Sequence, residues 1–532
     1  GVTLEALRDH IVSKVPELKH RPGAGEHGLS VATVHRMLNA PSKRSVNNAR
    51  RFHGVVDAHV PGKNNSRRKE TGGDTNHQCM SMMAYLCELA ADQPDAVGLW
   101  SVDDKAKLRV CSRCPCVSRY HQLRRLFATG DEPVYYDHDF PTAGYLLVPS
   151  GYQKLDQQEW QRGVRYFDRH GRPHLPWNRQ GPLHVVLRAC KYQKSNAQAH
   201  ANDLYKLLRV RGGDRRTEKP IVVVYADGGP DWATTSKFSF YFYGLLWMRL
   251  GLTAWIMGSA GGGYNAFNPI ERTWAQLSKL LSGVYLSDLY RDDDAKPPQE
   301  KGGIEKATME AEEHVVFDRA SRKVCQHWNG NSIAGYPVTA TRVRCAAAPE
   351  PFTNAELDAF TLWKKTTPTR LSRPNKLKAH LQKLGRADMY GKLRRITAVM
   401  KFLVRHCDRR SHLLAFAMCN DPGCKQCVKR GGRHPSTKAF FETVARHDNL
   451  FTPQPDPATP GHYKTYLGVK ATTQNLHFVP NLLMDDEIAR LHRARYGKPP
   501  DFPGRCPDGC KWAFVSKADH KRHQTFQFCK GS

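Results

Sequence analysis

Apolar residues change their period along the chain. Near the start, "TLEALRDHIVSKV" and "GLSVATVHRMLNAP" place them at helical spacing. Ser30 suits an N-cap, and Val31, Val34 and Leu38 share a face before Pro41 stops the helix. Two short helices around the Gly-rich "RPGAGEHG" predict a helix-turn-helix or an ordinary helical hairpin. From about residue 95 the texture changes. "AVGLWSVDDKAKLRV" predicts a strand, then acids and a turn; "GYLLVPSGY" and "LHVVLRACKY" predict further strands. "ANDLYKLLRVRGG" is a helix, "PIVVVYADGGPDW" a buried strand ending in an acid, "LTAWIMGSAGGG" another strand and "NPIERTWAQLSKLLSGV" a helix. Strands interleaved with helices indicate an α/β domain. Residues 305–345 read as mixed helix and loop, and "NAELDAFTLWKK" and "MYGKLRRITAVMKFLVRHC" as amphipathic helices.

Composition divides the 532 residues further. The segments are 1–92, helical with a basic arm; 93–290, the α/β domain; 291–345, a polar linker or extension; 346–450, helical with a Cys-rich site; 451–500, a Pro-rich linker and short helix; and 501–532, a zinc finger. A chain this long holds several domains of roughly 100–200 residues. The most apolar run, "FYFYGLLWMRLGLTAWIMG", is broken by Arg249 and two glycines, so it predicts a buried helix plus a strand and no membrane span.

Charge narrows the partner. Lys and Arg number 81 against 50 acids, a formal net charge of +31, which favours a polyanion, nucleic acid before an anionic membrane surface. Lys63, Arg67, Arg68 and Lys69 in "HVPGKNNSRRKETGG" suit an arm along a phosphate backbone, although a solvated loop has the same composition.

Against that basic background three carboxylates share a placement. Asp103 ends the strand "GLWSV", Asp227 ends "IVVVYA", and Glu271 lies on the first turn of a helix entered from the glycines 261–263. Each alone has an ordinary reading as a turn former or a capping acid. Together, at the ends of neighbouring strands of an open sheet, they would form a hard-oxygen site suited to Mg²⁺ or Mn²⁺. Two such ions stabilise the attacking and leaving oxygens of an in-line phosphoryl displacement. Asn268 suits the N-cap of the helix carrying Glu271, and Pro269 its first turn. Asp104 competes with Asp103 for the first position; Asp103 is preferred because it directly ends the apolar strand.

Fifteen cysteines, mostly in short-spaced clusters near histidines in a chain with no secretory signal, read as zinc ligands rather than disulfides. In "CPDGCKWAFVSKADHKRHQTFQFC", three residues separate Cys506 from Cys510, twelve separate Cys510 from His523, and five separate His523 from Cys529. That is the spacing of a ββα finger, with His520 as the alternative histidine. Its helix would turn Lys517, Lys521 and Arg522 towards a phosphate backbone. In "HCDRRSHLLAFAMCNDPGCKQC", Cys419, Cys424 and Cys427 suit a closed structural zinc site, with Cys407 as fourth ligand and His406 or His412 as substitutes. Cys111, Cys114 and Cys116 read as unpaired thiols, and Asp137, His138 and Asp139 as a structural turn.

"SVDDK", "YADGGPDW" and "NPIERTW", in that order, resemble the catalytic segments of the DDE/D transposase and integrase superfamily, which has an RNase H-like fold. "NPIERTW" is especially similar to the third motif of mariner-type transposases, although the interval before it is longer and contains the aromatic segment 238–257. The "SVDDKAK", "DHDF" and late Cys cluster are also similar to a group of eukaryotic transposase-like proteins, over about residues 30–470. The resemblance implies an RNase H-like core, a mixed sheet flanked by helices, with a helical DNA-binding region before it and zinc regions after it. It implies two Mg²⁺ (or Mn²⁺) ions on Asp103, Asp227 and Glu271 for cleavage and strand transfer of double-stranded DNA at transposon terminal inverted repeats and target sites. A homodimer or larger assembly in the nucleus, with no membrane role, is implied too. Other readings are a non-catalytic zinc-finger DNA-binding descendant of a transposase, a structure-selective nuclease on the same fold, and an RNA-binding scaffold.

Overall fold

A computed structural model of the protein describes residues 4–14, 73–113, 115–117, 145–156, 166–168, 171–210, 217–261, 267–288, 306–343, 350–410, 412–419, 422–446, 453, 455–471, 501 and 517–526. The expected helix around residues 31–38, the basic arm with Lys63, Arg67, Arg68 and Lys69, and the 137–139 turn lie outside these residues.

The strands are β1 (Val97–Asp104), β2 (Leu108–Val110), β3 (Tyr145–Leu155), β4 (Tyr166–Phe167), β5 (Pro173–His174), β6 (Leu183–Ala189), β7 (Ile221–Ala226), β8 (Ala254–Ser259), β9 (Ser332–Ile333), β10 (Tyr336–Arg342), β11 (Cys407–Arg409) and β12 (Leu413–Ala417). The first helices are α1 (Leu4–Lys14), α2 (Gly73–Asp92), α3 (Ala197–Leu208), α4 (Lys237–Leu250), α5 (Pro269–Leu280) and α6 (Lys306–Trp328). After them come α7 (Asn354–Lys365), α8 (Pro368–Ser372), α9 (Pro374–Lys383), α10 (Met389–Arg405), α11 (Lys425–Lys429), α12 (Lys438–Arg446), α13 (Tyr466–Ala471) and α14 (Lys517–Phe526).

One large mixed sheet organises the chain, in the order β11-β12-β8-β7-β1-β3-β6-β10-β9, with β2 beside β3. At its centre β3 runs antiparallel to β1 and to β6, whereas β7 and β8 continue parallel from β1. β7 and β8 are buried at every position, so their sequences show no alternation, as expected where helices cover both faces. On one face Trp100, Val102, Val224 and Met257 pack under α3, α4 and the helices of residues 354–405. On the other face Leu99, Val223 and Ile256 pack under α2, and Leu147, Val185 and Leu187 under α5 and α6. The fold is thus mixed α/β, a large mixed sheet flanked by helices.

Two segments differ from expectation. Within the segment 305–345, the described residues form a long helix and two strands, and β10 extends the sheet parallel to β6. Residues 407–409 and 413–417, read only as part of a cysteine cluster, form the antiparallel β11–β12 pair that extends the sheet antiparallel to β8. Both additions are short strands whose pairing partners are remote in sequence, so local pattern does not reveal them. Among the described residues no helix is long and apolar enough to cross a membrane.

Candidate functional site

The ends of β1 and β7 lie side by side, since Val102 is in register with Ala226. The next residues along the two chains are Asp103 and Asp227. Successive side chains on β1 alternate between faces. Ser101 therefore points to the α5 side, where it bonds Asn268, and Asp103 follows it there.

The start of α5 is stitched to β1. The fully buried Asn268 is N-cap by position, but its side chain makes no cap bond within its own helix. Instead Asn268 Nδ2 donates to the Val102 carbonyl at 3.0 Å, and Ser101 Oγ donates to Asn268 Oδ1 at 2.5 Å. Ser101 Oγ in turn accepts the Ile270 amide at 3.1 Å, so the strand caps the helix. Gly151 on β3 allows the close approach: a Cβ there would stand 2.4 Å from Trp274 and 2.7 Å from Ile270. These contacts carry Glu271, on the first turn, to Asp103, with which it shares a side-chain hydrogen bond.

The result is a crowded set of acids. Burial, then the charges of Asp227 and Glu271, push the Asp103 carboxyl up to about 9. Asp227 is raised by burial, partly offset by the Gly229 amide that it accepts. Excess negative charge held away from water at strand ends is the electrostatic condition that a divalent cation relieves. The structure brings the three acids predicted from sequence together, as a looser set than the two tight ligand groups among the described residues.

The first tight group is His406, Cys419, Cys424 and Cys427, whose ligand atoms all lie within 4.8 Å of one another. His406 Nε2 is 3.3 Å from Cys419 Sγ, 3.5 Å from Cys424 Sγ and 3.3 Å from Cys427 Sγ. His406 follows the last residue of α10, and its Nδ1 meets the Phe402 carbonyl at 2.8 Å. That bond fixes the tautomer and leaves the Nε2 lone pair facing three sulfurs. A three-sulfur, one-nitrogen set suits a closed tetrahedral metal site. Cys407, expected as fourth ligand, is corrected: it begins β11, and its thiol donates to the Val404 carbonyl at 3.3 Å. The neighbouring residue takes the ligand position because the helix ends there. His412 is not in the group.

The second tight group was not anticipated as a set: Asp104, His200 and Asp231, again with ligand atoms within 4.8 Å of one another. Asp104 faces the opposite side of the sheet from Asp103, towards α3. Burial lowers the pKa of His200, and it lifts Asp231 to about 6 with help from Asp104 and Asp227. Neither His200 nor Asp231 sits in a motif with ligand spacing, and Asp104 was weighed only as an alternative to Asp103.

Elsewhere, helix α14 forms as expected and His523 on it is buried, but Cys506, Cys510 and Cys529 lie outside the described residues. Lys517 there pairs with Asp501, Lys521 is exposed and Arg522 shares the helix. Cys111 and Cys116 join no ligand group among the described residues; the backbone of Cys116 bonds to Val284 and burial pushes its thiol up to about 12. Cys114 lies outside them. No protein-family model matches the chain, and neither a curated protein nor a solved structure does.

Proposed function

We propose that the protein is a divalent-metal-dependent DNA transposase, cleaving and joining DNA strands through Asp103, Asp227 and Glu271. The observation that carries this reading is the convergence of those three acids at the ends of β1 and β7 and the start of α5, where burial and mutual repulsion hold Asp103 protonated at neutral pH. The central order β6-β3-β1-β7-β8, antiparallel on one side of β1 and parallel on the other, supports an RNase H-like core. A net charge of +31 supports a nucleic-acid partner.

Asp103, Asp227 and Glu271 would hold Mg²⁺ or Mn²⁺. When bound, the ions supply Lewis-acid stabilisation of the phosphoryl oxygens and a nucleophile at neutral pH. Asp103 must release its proton on binding. Asn268 and Ser101 keep the backbone of Glu271 fixed against β1 throughout, and the Gly229 amide holds Asp227. The protein forms no covalent intermediate. His406, Cys419, Cys424 and Cys427 would hold a structural Zn²⁺ that ties the end of α10 to β12 and α11; a second zinc would complete the C-terminal finger. The enzyme would act in the nucleus as a homodimer or larger assembly on paired DNA ends.

The test is Mg²⁺-dependent nicking and joining of DNA carrying the element's ends. Asp227→Asn is expected to abolish both activities; wild-type activity in that variant overturns the mechanism. Nicked products that are never joined would identify a structure-selective nuclease.

A further inference from the structure

A second constellation stands beside the proposed acids, on the other face of the sheet. Asp104 closes β1, His200 lies on the first turns of α3, and Asp231 lies in the turn after β7. Their ligand atoms lie within 4.8 Å of one another, and His200 is only 1% exposed.

The hydrogens around His200 are countable. Asp203 receives the Arg188 guanidinium, so it is an ionised acceptor, and the Tyr152 hydroxyl donates to it at 2.5 Å. The phenol has one hydrogen. Its 2.8 Å contact with His200 Nδ1 therefore requires that Nδ1 carry the imidazole hydrogen. The Ser195 hydroxyl donates its one hydrogen to Asp104 Oδ2, so its 3.1 Å contact with His200 Nε2 has none to share. With Nδ1 carrying the imidazole hydrogen, Nε2 faces oxygen atoms, Asp104 Oδ2 among them at 3.8 Å. Asp104 Oδ1 is buried with no hydrogen-bond partner. The Trp232 ring closes one side, 4.5 Å from the imidazole between centroids. Acceptors converging on one partly buried point are satisfied by a cation or by a shared proton.

We propose that Asp104, His200 and Asp231 bind a first-row divalent cation, of the Mn²⁺ or Zn²⁺ type. One imidazole nitrogen with two carboxylates favours such an ion over Mg²⁺ or Ca²⁺, which prefer oxygen alone. The chain Tyr152–Asp203–Arg188 behind His200 fixes its tautomer and orientation, as the outer partners of metal-bound histidines do. The site shares no ligand with the all-oxygen set of Asp103, Asp227 and Glu271, although the charges of the two sets act on one another, and its existence does not depend on catalysis.

The nitrogen ligand provides the test. Untagged full-length protein, loaded with zinc to fill the cysteine cluster, is titrated with Mn²⁺ and examined by pulsed electron paramagnetic resonance for ¹⁴N coupling. The expected result is one Mn²⁺ per chain coupled to a histidine nitrogen. That coupling is lost in His200→Gln, kept in Glu271→Gln, and reached only at about tenfold or more higher Mn²⁺ in Asp231→Asn. Wild-type protein saturated with Mn²⁺ but showing no nitrogen coupling overturns the proposal and leaves a proton, not a metal, between His200 and Asp104. Coupling that persists in His200→Gln overturns it as well. Loss of DNA cleavage with the nitrogen-coupled ion intact, as expected of Glu271→Gln, concerns the catalytic reading alone.

Discussion

Replacing Asp103 by asparagine should stabilise the metal-free protein at alkaline pH while abolishing its response to Mg²⁺. Asparagine keeps the shape and a hydrogen bond to Glu271 but removes one charge from a side chain only 7% exposed. In the folded wild type, burial and the charges of Asp227 and Glu271 move the Asp103 carboxyl from 3.8 to about 9. Between those values the folded chain keeps a proton that the unfolded chain has released. Stability is therefore fully present below about pH 4 and is lost as the pH rises towards about 9. The whole interval corresponds to about 7 kcal/mol, whereas one like charge at about 4 Å, in an effective permittivity near 20, corresponds to about 4 kcal/mol. The smaller figure is the expected gain, because the released proton is shared among the acids and the site opens to solvent at the half-buried Asp227. Urea unfolding in chelator at about pH 6 and about pH 9 should show a falling wild-type stability and a nearly flat variant, with the variant ahead by about 4 kcal/mol at the higher pH. Added Mg²⁺ should stabilise the wild type and leave the variant unchanged. An Asp103→Asn protein less stable than wild type at alkaline pH, or equally stabilised by Mg²⁺, refutes the charge-cluster reasoning.

Other consequences follow from the same contacts. Asn268→Ala should cost about 2–3 kcal/mol in denaturant unfolding, because the buried Val102 carbonyl and Ser101 hydroxyl both lose their partner; metal-dependent nicking should fall with it as Glu271 loses its anchor. Gly151→Ala should cost about 1–3 kcal/mol, since the new Cβ overlaps Trp274, and should weaken Mn²⁺ binding by pushing α5 off the sheet. His406→Ala should lower the bound zinc measured by mass spectrometry by one ion per chain, whereas Cys407→Ser should keep it; the reverse pattern would restore Cys407 as ligand.

The elements nearest the acids were legible because their signals are local. "IVVVYA" and "AWIMGS" are short apolar runs bounded by polar or small residues, and "NPIERTW" carries a helix start in its own letters. Asp103, Asp227 and Glu271 were legible for the same reason, each being tied to the end or start of one such element. Asn268 was only half legible: its position at the helix start is local, but the bonds it makes reach back to β1, and Ser101 rather than Asn268 caps the helix. The choice of His406 over Cys407 depends on the residue at which α10 stops and β11 begins, a one-residue matter that pattern does not resolve.

By itself the sequence determined an α/β core, a net positive charge of +31, candidate zinc clusters, and acids at the ends of particular strands and the start of one helix, since propensity, period and spacing act within a few residues. Only the tertiary structure decided that β10 and the β11–β12 hairpin extend the same sheet, and which groups meet Asp103 on one face and Asp104 on the other. Only it decided that His200 and Asp231 meet Asp104. Those outcomes follow from which strands pair and which helices cover each face, and pairing is settled by burial of the whole sheet rather than by any one segment.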